Sequence, residues 1–283
     1  MKRKVSSVMA VLLCVFLNPL VFADPAGDAL IRAAQDQDGE WLRQALRSAN
    51  VNSLSNSDRT ALMEACDNQW LPGVKILVQE GGANINYKNT NQQTALMLAA
   101  KKENLDIVQL LVERSANVND KDRNNKTVLM YAVESQNENM VDFLIRAGAN
   151  INATTHKYED ALIFAAKARN WYAVDRLLRE SGINTSQADT DGKTAFIYAC
   201  ENEDTNMVAA FVRRGFDVVK QDSNGIPPLL WLIQHKMSFN VIEYLVRNTN
   251  ALNSRDRNGR DAKWYADRYE GDTRLRRLLE SGR

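Results

Sequence analysis

Several stretches of this sequence hold the residue types of well-known chemistries, and each lacks a part that its chemistry needs. DGKTA (191–195) ends like a phosphate-binding loop, whose lysine reaches the phosphates and whose hydroxyl meets magnesium. Such a loop also needs a glycine five residues before Gly192, and position 187 is Gln. Residues 120–126 (DKDRNNK) alternate acids and amides as a calcium loop does. That loop turns on a glycine at its sixth position and closes with a glutamate at its twelfth, where this chain has Asn125 and Tyr131. His156 and His235 are the only histidines and have no thiol or carboxylate partners at zinc-binding spacing. No Ser/His/Asp or Cys/His arrangement stands out. The residues predict no catalytic centre, no metal and no cofactor.

What recurs instead is a set of polar positions. Arg59, Gln93, Lys126, Glu159, Lys193, Ile226 and Arg260 follow one another at intervals of 34, 33, 33, 34, 33 and 34 residues, and four of them are basic. Arg123, His156, Lys157, Thr190, Ser223 and Arg257 lie a few residues before them.

The elements that must carry these positions share their period. Each is followed by a copy of one phrase: TALMEA at Thr60, TALMLAA at Thr94, TVLMYA at Thr127, and further copies at Asp160, Thr194, Pro227 and Asp261. A weaker copy starts at Asp28. A period in this range marks a repeat array. The third and fourth columns of the phrase are large and apolar, and the sixth is Ala except at Leu232, as suits a short helix packed closely against neighbours. A second apolar run follows, as in Val141, Leu144 and Ile145 or Val174, Leu177 and Leu178, and its i, i+3, i+4 spacing marks one helix face. Gly82, Gly148, Gly182 and Gly215 then sit where a left-handed helix cap is expected, with Ser115 and Thr249 as strained substitutes. Polar turns such as DTDG (189–192) and DSNG (222–225) come next.

Helix, turn, helix and projecting loop in register resemble the ankyrin repeat over roughly residues 24–283. The motifs that carry the resemblance are T-A-L-M-x-A-A (94–100), the V-x-x-L-L helix and G-A-N-I-N (148–152). The family phrase usually runs T-P-L-H; here Ala mostly replaces Pro, and Met, Ile, Leu or Trp replaces His, so apolar packing is expected in place of Thr–His bonds. The resemblance implies an all-α solenoid of about eight helix-turn-helix units with projecting β-turn loops. Units start near 28, 60, 94, 127, 160, 194, 227 and 261, and the first and last are caps. It also implies a non-catalytic protein-binding role, with turns and first helices forming a concave face. On that face Arg59, Gln93, Lys126, Glu159, Lys193, Ile226, Arg260, Arg123, Lys157 and Arg257 are the candidate partner-binding residues. The aromatic-rich fifth column (Tyr131, Phe164, Tyr198, Trp231, Tyr265) reads as core. Trp70 reads either as a recognition aromatic or as packing on Pro72.

The first 23 residues differ from the rest. Lys2, Arg3 and Lys4 precede an uncharged run from Val5 to Ala23, which reads as a secretory signal peptide cut after Ala23. The alternatives are a retained anchor and a lipidated Cys14. Without the leader, 33 basic residues face 35 acidic ones, which makes no global case for nucleic-acid binding. Cys66 and Cys200 occupy one column four units apart; with helices spaced by about 8–10 Å, they are expected as two free thiols. The leader looks bacterial, so the expectation is a monomeric periplasmic binder of a protein partner, with no membrane span once the leader is removed. A secreted effector of host proteins is the alternative, and an enzyme or small-ligand binder the weaker one.

Overall fold

The computed structural model of the protein describes residues 24–269 and 273–281; the expected leader at 1–23 lies outside the described residues. Sixteen α-helices form among the described residues. They are α1 (Pro25–Gln35), α2 (Gly39–Leu46), α3 (Ala61–Asp67), α4 (Leu71–Lys75), α5 (Ala95–Lys101), α6 (Leu105–Glu113), α7 (Val128–Glu134) and α8 (Glu138–Arg146). There follow α9 (Ala161–Lys167), α10 (Trp171–Leu178), α11 (Ala195–Glu201), α12 (Thr205–Arg213), α13 (Pro228–Gln234), α14 (Phe239–Asn248), α15 (Ala262–Tyr269) and α16 (Thr273–Ser281). They fall into two compact units. One runs to Ser135 and includes Arg146–Ala149; the other comprises Gln136–Ile145 and Asn150 onward.

From Thr60 onward each copy of the phrase starts one residue before a helix. Its first residue is therefore the N-cap, which supplies an acceptor to amides that have no intrahelical partner. Thr60, Thr94 and Thr194 accept the N–H three residues on, each at 3.3 Å. At Thr127 the main-chain N–H donates to the Met130 sulfur at 3.5 Å. Pro227 offers no side-chain acceptor, and Pro228 opens its helix at a position where an N–H is not needed.

Within the first unit α3 packs on α1 and α5, and α5 on α7; within the second α11 packs on α9 and α13, and α13 on α15. The small sixth column lets these helices approach: Ala65, Ala99, Ala132, Ala165, Ala199, Leu232 and Ala266 are all buried. Lys263 breaks the leucine column and is exposed, as expected of a cap. The second helices bury Val108 and Leu111, Val141 and Leu144, Val174 and Leu177, and their equivalents. In the unit at 71–80 the chain leaves α4 by a π-helical turn, Ile76–Glu80, in which Ile76 and Leu77 are buried.

Two expectations are corrected. Ser115 does take the left-handed conformation (φ +67), but Thr249 avoids it with φ −141. There α14 runs to Asn248, and the Thr249 hydroxyl closes the end by donating to the Leu245 carbonyl at 2.6 Å. Trp70 is buried; its ring lies so close over Gly73 that a Cβ there would be 1.9 Å from it.

Asparagines of the G-A-N-I-N column bind consecutive repeats together. In the first unit the Asn52 carbonyl accepts from the Asn84 N–H (2.8 Å) and that of Asn86 from the Asn117 N–H (2.9 Å). In the second, Asn152 accepts from the Asn184 N–H (2.9 Å) and donates to the Gly182 carbonyl (2.7 Å). One repeat later the column holds Ser186, whose carbonyl takes a bond from Lys220 (2.7 Å).

Candidate interaction face

Each projecting turn is organised by one residue, in a column that runs Ser55, Asn89, Asp122, Thr155, Asp189, Asp222 and Asp256. Asp189 Oδ1 accepts the N–H of Asp191 and of Lys193, both at 2.9 Å. Asp122 does the same for Asn124 and Lys126, and Asp256 for Asn258 and Arg260. Their second oxygens accept a tyrosine hydroxyl from the first helix: Tyr131 to Asp122 at 2.7 Å, Tyr198 to Asp189 at 2.6 Å, Tyr265 to Asp256 at 3.0 Å. Burial and the neighbouring carboxylate push the Tyr131 and Tyr198 hydroxyls above the usual tyrosine range, so both stay protonated donors. Where Thr155 replaces the aspartate, the fifth column holds Phe164, which has no hydroxyl to place.

The fifth column is therefore more than core. Tyr265 is buried, but Tyr131, Phe164, Tyr198 and Trp231 are half-buried. Cations lie over several rings. In the first unit Lys126 Nζ is 4.2 Å from the centre of Tyr131. In the second, Lys167 and Lys193 lie over Tyr198 at 5.1 and 5.5 Å, and Arg260 over Trp264 at 4.3 Å. Such contacts contribute about 0.5–1 kcal/mol where exposed.

The residues before the phrase are stems of these turns rather than freely projecting charges. Four of the seven pair across eight residues with the end of the first helix. Arg59 meets Asp67 at 3.2 Å, Lys126 meets Glu134 at 2.5 Å and Lys193 meets Glu201 at 2.5 Å. Glu159 meets Lys167 at 2.5 Å with the signs exchanged. Arg260 turns to Asp256 at 2.6 Å. Gln93 and Ile226 stand in the same place without a charge, both half-buried. The turn tips Arg123, Lys157 and Arg257 are exposed. Their backbones form a second ladder: the Arg123 N–H donates to Asn91 O (2.8 Å), and Lys157 O accepts the Thr190 N–H (3.0 Å). The Arg257 guanidinium reaches Ser223 O.

The sequence carried two signals for this arrangement that residue-by-residue reading passes over. One is an aspartate nine residues before a tyrosine. The other is charge complementarity at spacing eight, including the inverted pair.

Cys66 and Cys200 are buried free thiols, with burial pushing both up and so keeping them protonated. Among the described residues no three His, Cys, Asp or Glu side chains gather to hold a metal ion, and no helix is long and apolar enough to cross a membrane.

The family model described as ankyrin repeats (three copies) matches residues 30–122, 73–155, 143–222 and 162–256. Comparison with curated proteins returns no match. Among solved structures, the ankyrin repeat domain of Bcl-3, a unique member of the IkappaB protein family, is similar with a TM-score of 0.70 and 24% identity. The likeness covers 80% of this chain and 100% of that one, and at this identity it speaks for the fold.

Proposed function

The chain belongs to the ankyrin repeat family, whose arrays are protein–protein interaction modules, and from that premise we propose that it is a non-catalytic binder of a protein partner. One observation carries the reading. Turn tips and stem charges lie on turns whose backbones are fixed by the aspartate and ladder bonds described above, beside half-buried rings of the first helices. A face that is rigid before binding loses less freedom on association. In this reading the turn tips Arg123, Lys157 and Arg257 contact the partner directly, while the stems Arg59, Lys126, Lys193 and Arg260 hold the turns of their own repeats.

The site of action in this reading is the periplasm, reached through the basic and then uncharged leader at 1–23. Cell fractionation with an antibody to residues 24–283 tests the location; a purely cytoplasmic chain of full mass would overturn it. Affinity capture from the envelope fraction tests the activity. A specific exported protein, lost when Arg123, Lys157 and Arg257 are all changed to Glu, is the expected result. Retention of the same protein by that variant would remove the turn tips from the face.

A further inference from the structure

The last two full first helices lack the ion pair that joins stem to helix end, as does the repeat of Gln93 and Lys101. In earlier repeats a stem charge is closed by its opposite eight residues on, as in Lys126–Glu134 and Lys193–Glu201. In the repeat of α13 those positions are Ile226 and Gln234, and in that of α15 they are Arg260 and Arg268. The acid is missing from both. The Gln234 side-chain oxygen is buried without a partner. Arg268 and Lys236 are exposed.

The same two helices, packed against each other, each carry a half-buried tryptophan, Trp231 and Trp264. His235 stacks on Trp231 at 4.1 Å and 25°. Arg260 and Arg268 lie over Trp264 at 4.3 and 5.3 Å. Arg260 is already paired with Asp256 at 2.6 Å, whereas a ring face attracts a cation such as Arg268 but leaves its charge uncancelled. The patch thus combines tryptophan and arginine, the residue types that dominate binding energy at interfaces, with an excess of positive charge.

Resting on the reading above, we propose that this face of α13 and α15 takes an acidic, extended segment of the protein partner. Its carboxylates meet Arg268 and Lys236, and its apolar side chains lie on Trp231 and Trp264. Single-stranded nucleic acid also suits cations and rings, but it needs a basic groove that tracks several phosphates, and this chain is close to neutral.

The test uses the mature chain and a fluorescent peptide of Glu-Asp-Leu triplets, read by anisotropy at low and high salt. The acidic peptide should bind, weaken as salt rises, and lose about tenfold or more in affinity in the variant R268E/K236E. Both side chains are exposed, and an unchanged melting curve confirms that the variant folds. Equal binding of a Lys-Arg-Leu peptide, unchanged affinity in the variant, or tighter binding of oligothymidylate would each overturn the proposal. Capture of an exported partner that R268E/K236E retains but R123E/K157E/R257E loses would overturn this site while leaving the protein-binding reading in place. Failure to capture any partner would count against that reading itself.

Discussion

Apart from Asp28, which lies inside α1, two repeats put aspartate where others put threonine, and the two aspartates live in opposite environments. Asp160 caps α9. Its Oδ1 accepts the Ile163 N–H at 2.8 Å, but its Oδ2 is buried without a partner, and burial pushes the carboxyl up to about 6. Asp261 caps α15 at the edge of the array. The Trp264 N–H and, further out, the Arg255 guanidinium at 2.8 Å hold its carboxyl below the usual range. The surroundings differ along the whole turn. At 155–167 the order is Thr155, Glu159, Asp160 and Lys167; at 256–268 it is Asp256, Arg260, Asp261 and Arg268. Near Asp160 the turn organiser is neutral and the stem is acidic, so the usual polarity is reversed. An aspartate is a good cap where water or a cation reaches its second oxygen; sealed from both, the same residue costs stability.

The largest effect should come from undoing that cost. In Asp160→Thr a hydroxyl replaces the carboxylate and accepts the same N–H, as Thr194 does in the next repeat. The folded-state value of about 6 lies above the ordinary aspartate value of about 3.9. The Asp160 contribution is therefore fully present below pH 4 and lost as pH rises through about 6. At about 1.4 kcal/mol for each pH unit of displacement, the variant should gain about 2–3 kcal/mol at pH 8 and little at pH 4. Urea midpoints at the two pH values measure it. Asp261→Ala should behave oppositely, losing about 1 kcal/mol of capping at neutral pH. A gain in both variants would break the contrast.

The turn organisers give the next effect. Asp189→Ala removes the acceptor of two N–H groups and of the Tyr198 hydroxyl. Thr155→Ala removes only two longer bonds, at 3.2 and 3.3 Å. At about 1 kcal/mol per net hydrogen bond and more for a charged acceptor, the expected losses are about 2–3 and about 1 kcal/mol. Equal losses would mean that the tyrosine hydroxyl contributes nothing to the turn.

The inverted pair offers a smaller test. Glu159→Lys or Lys167→Glu alone sets like charges together, and the double exchange restores the polarity used by Lys193 and Glu201. Each single variant should lose about 1 kcal/mol and the double should recover most of it. A double variant as weak as the sum would show that Glu159, which is buried, is fixed by packing rather than by its partner.

The array itself was legible because its period is written in large apolar and small residues, and burial leaves those few choices. Leu62, Leu96, Leu129 and Leu162 fix one wall of the core and the alanines another. The face was less legible, for a physical reason. Lys126 looks like a projecting charge in the sequence, yet its ammonium lies between Glu134 and the Tyr131 ring, and only a comparison at spacing eight reveals that. The π-helical turn after Lys75 and the extended Thr249 depend on how one loop meets its neighbours, which no periodicity encodes.

The smallest effect isolates a feature of the reversed turn that stability does not explain. Tyr158 stands at φ +59 in a place where the following turns use Gly192, Gly225 and Gly259, and its ring is 60% exposed. A bulky residue rarely holds this conformation, and its ring buries little in return. Tyr158→Gly should therefore gain about 0.5–1 kcal/mol by relieving strain, less the freedom that glycine adds to the unfolded chain. The informative measurement pairs that gain with partner capture. A variant that is more stable but captures less would mark Tyr158 as an anchor held in a strained pose for binding. A variant that captures equally well would leave the recognition to the cations and tryptophans, and Tyr158 as an uncompensated local cost of the reversed turn.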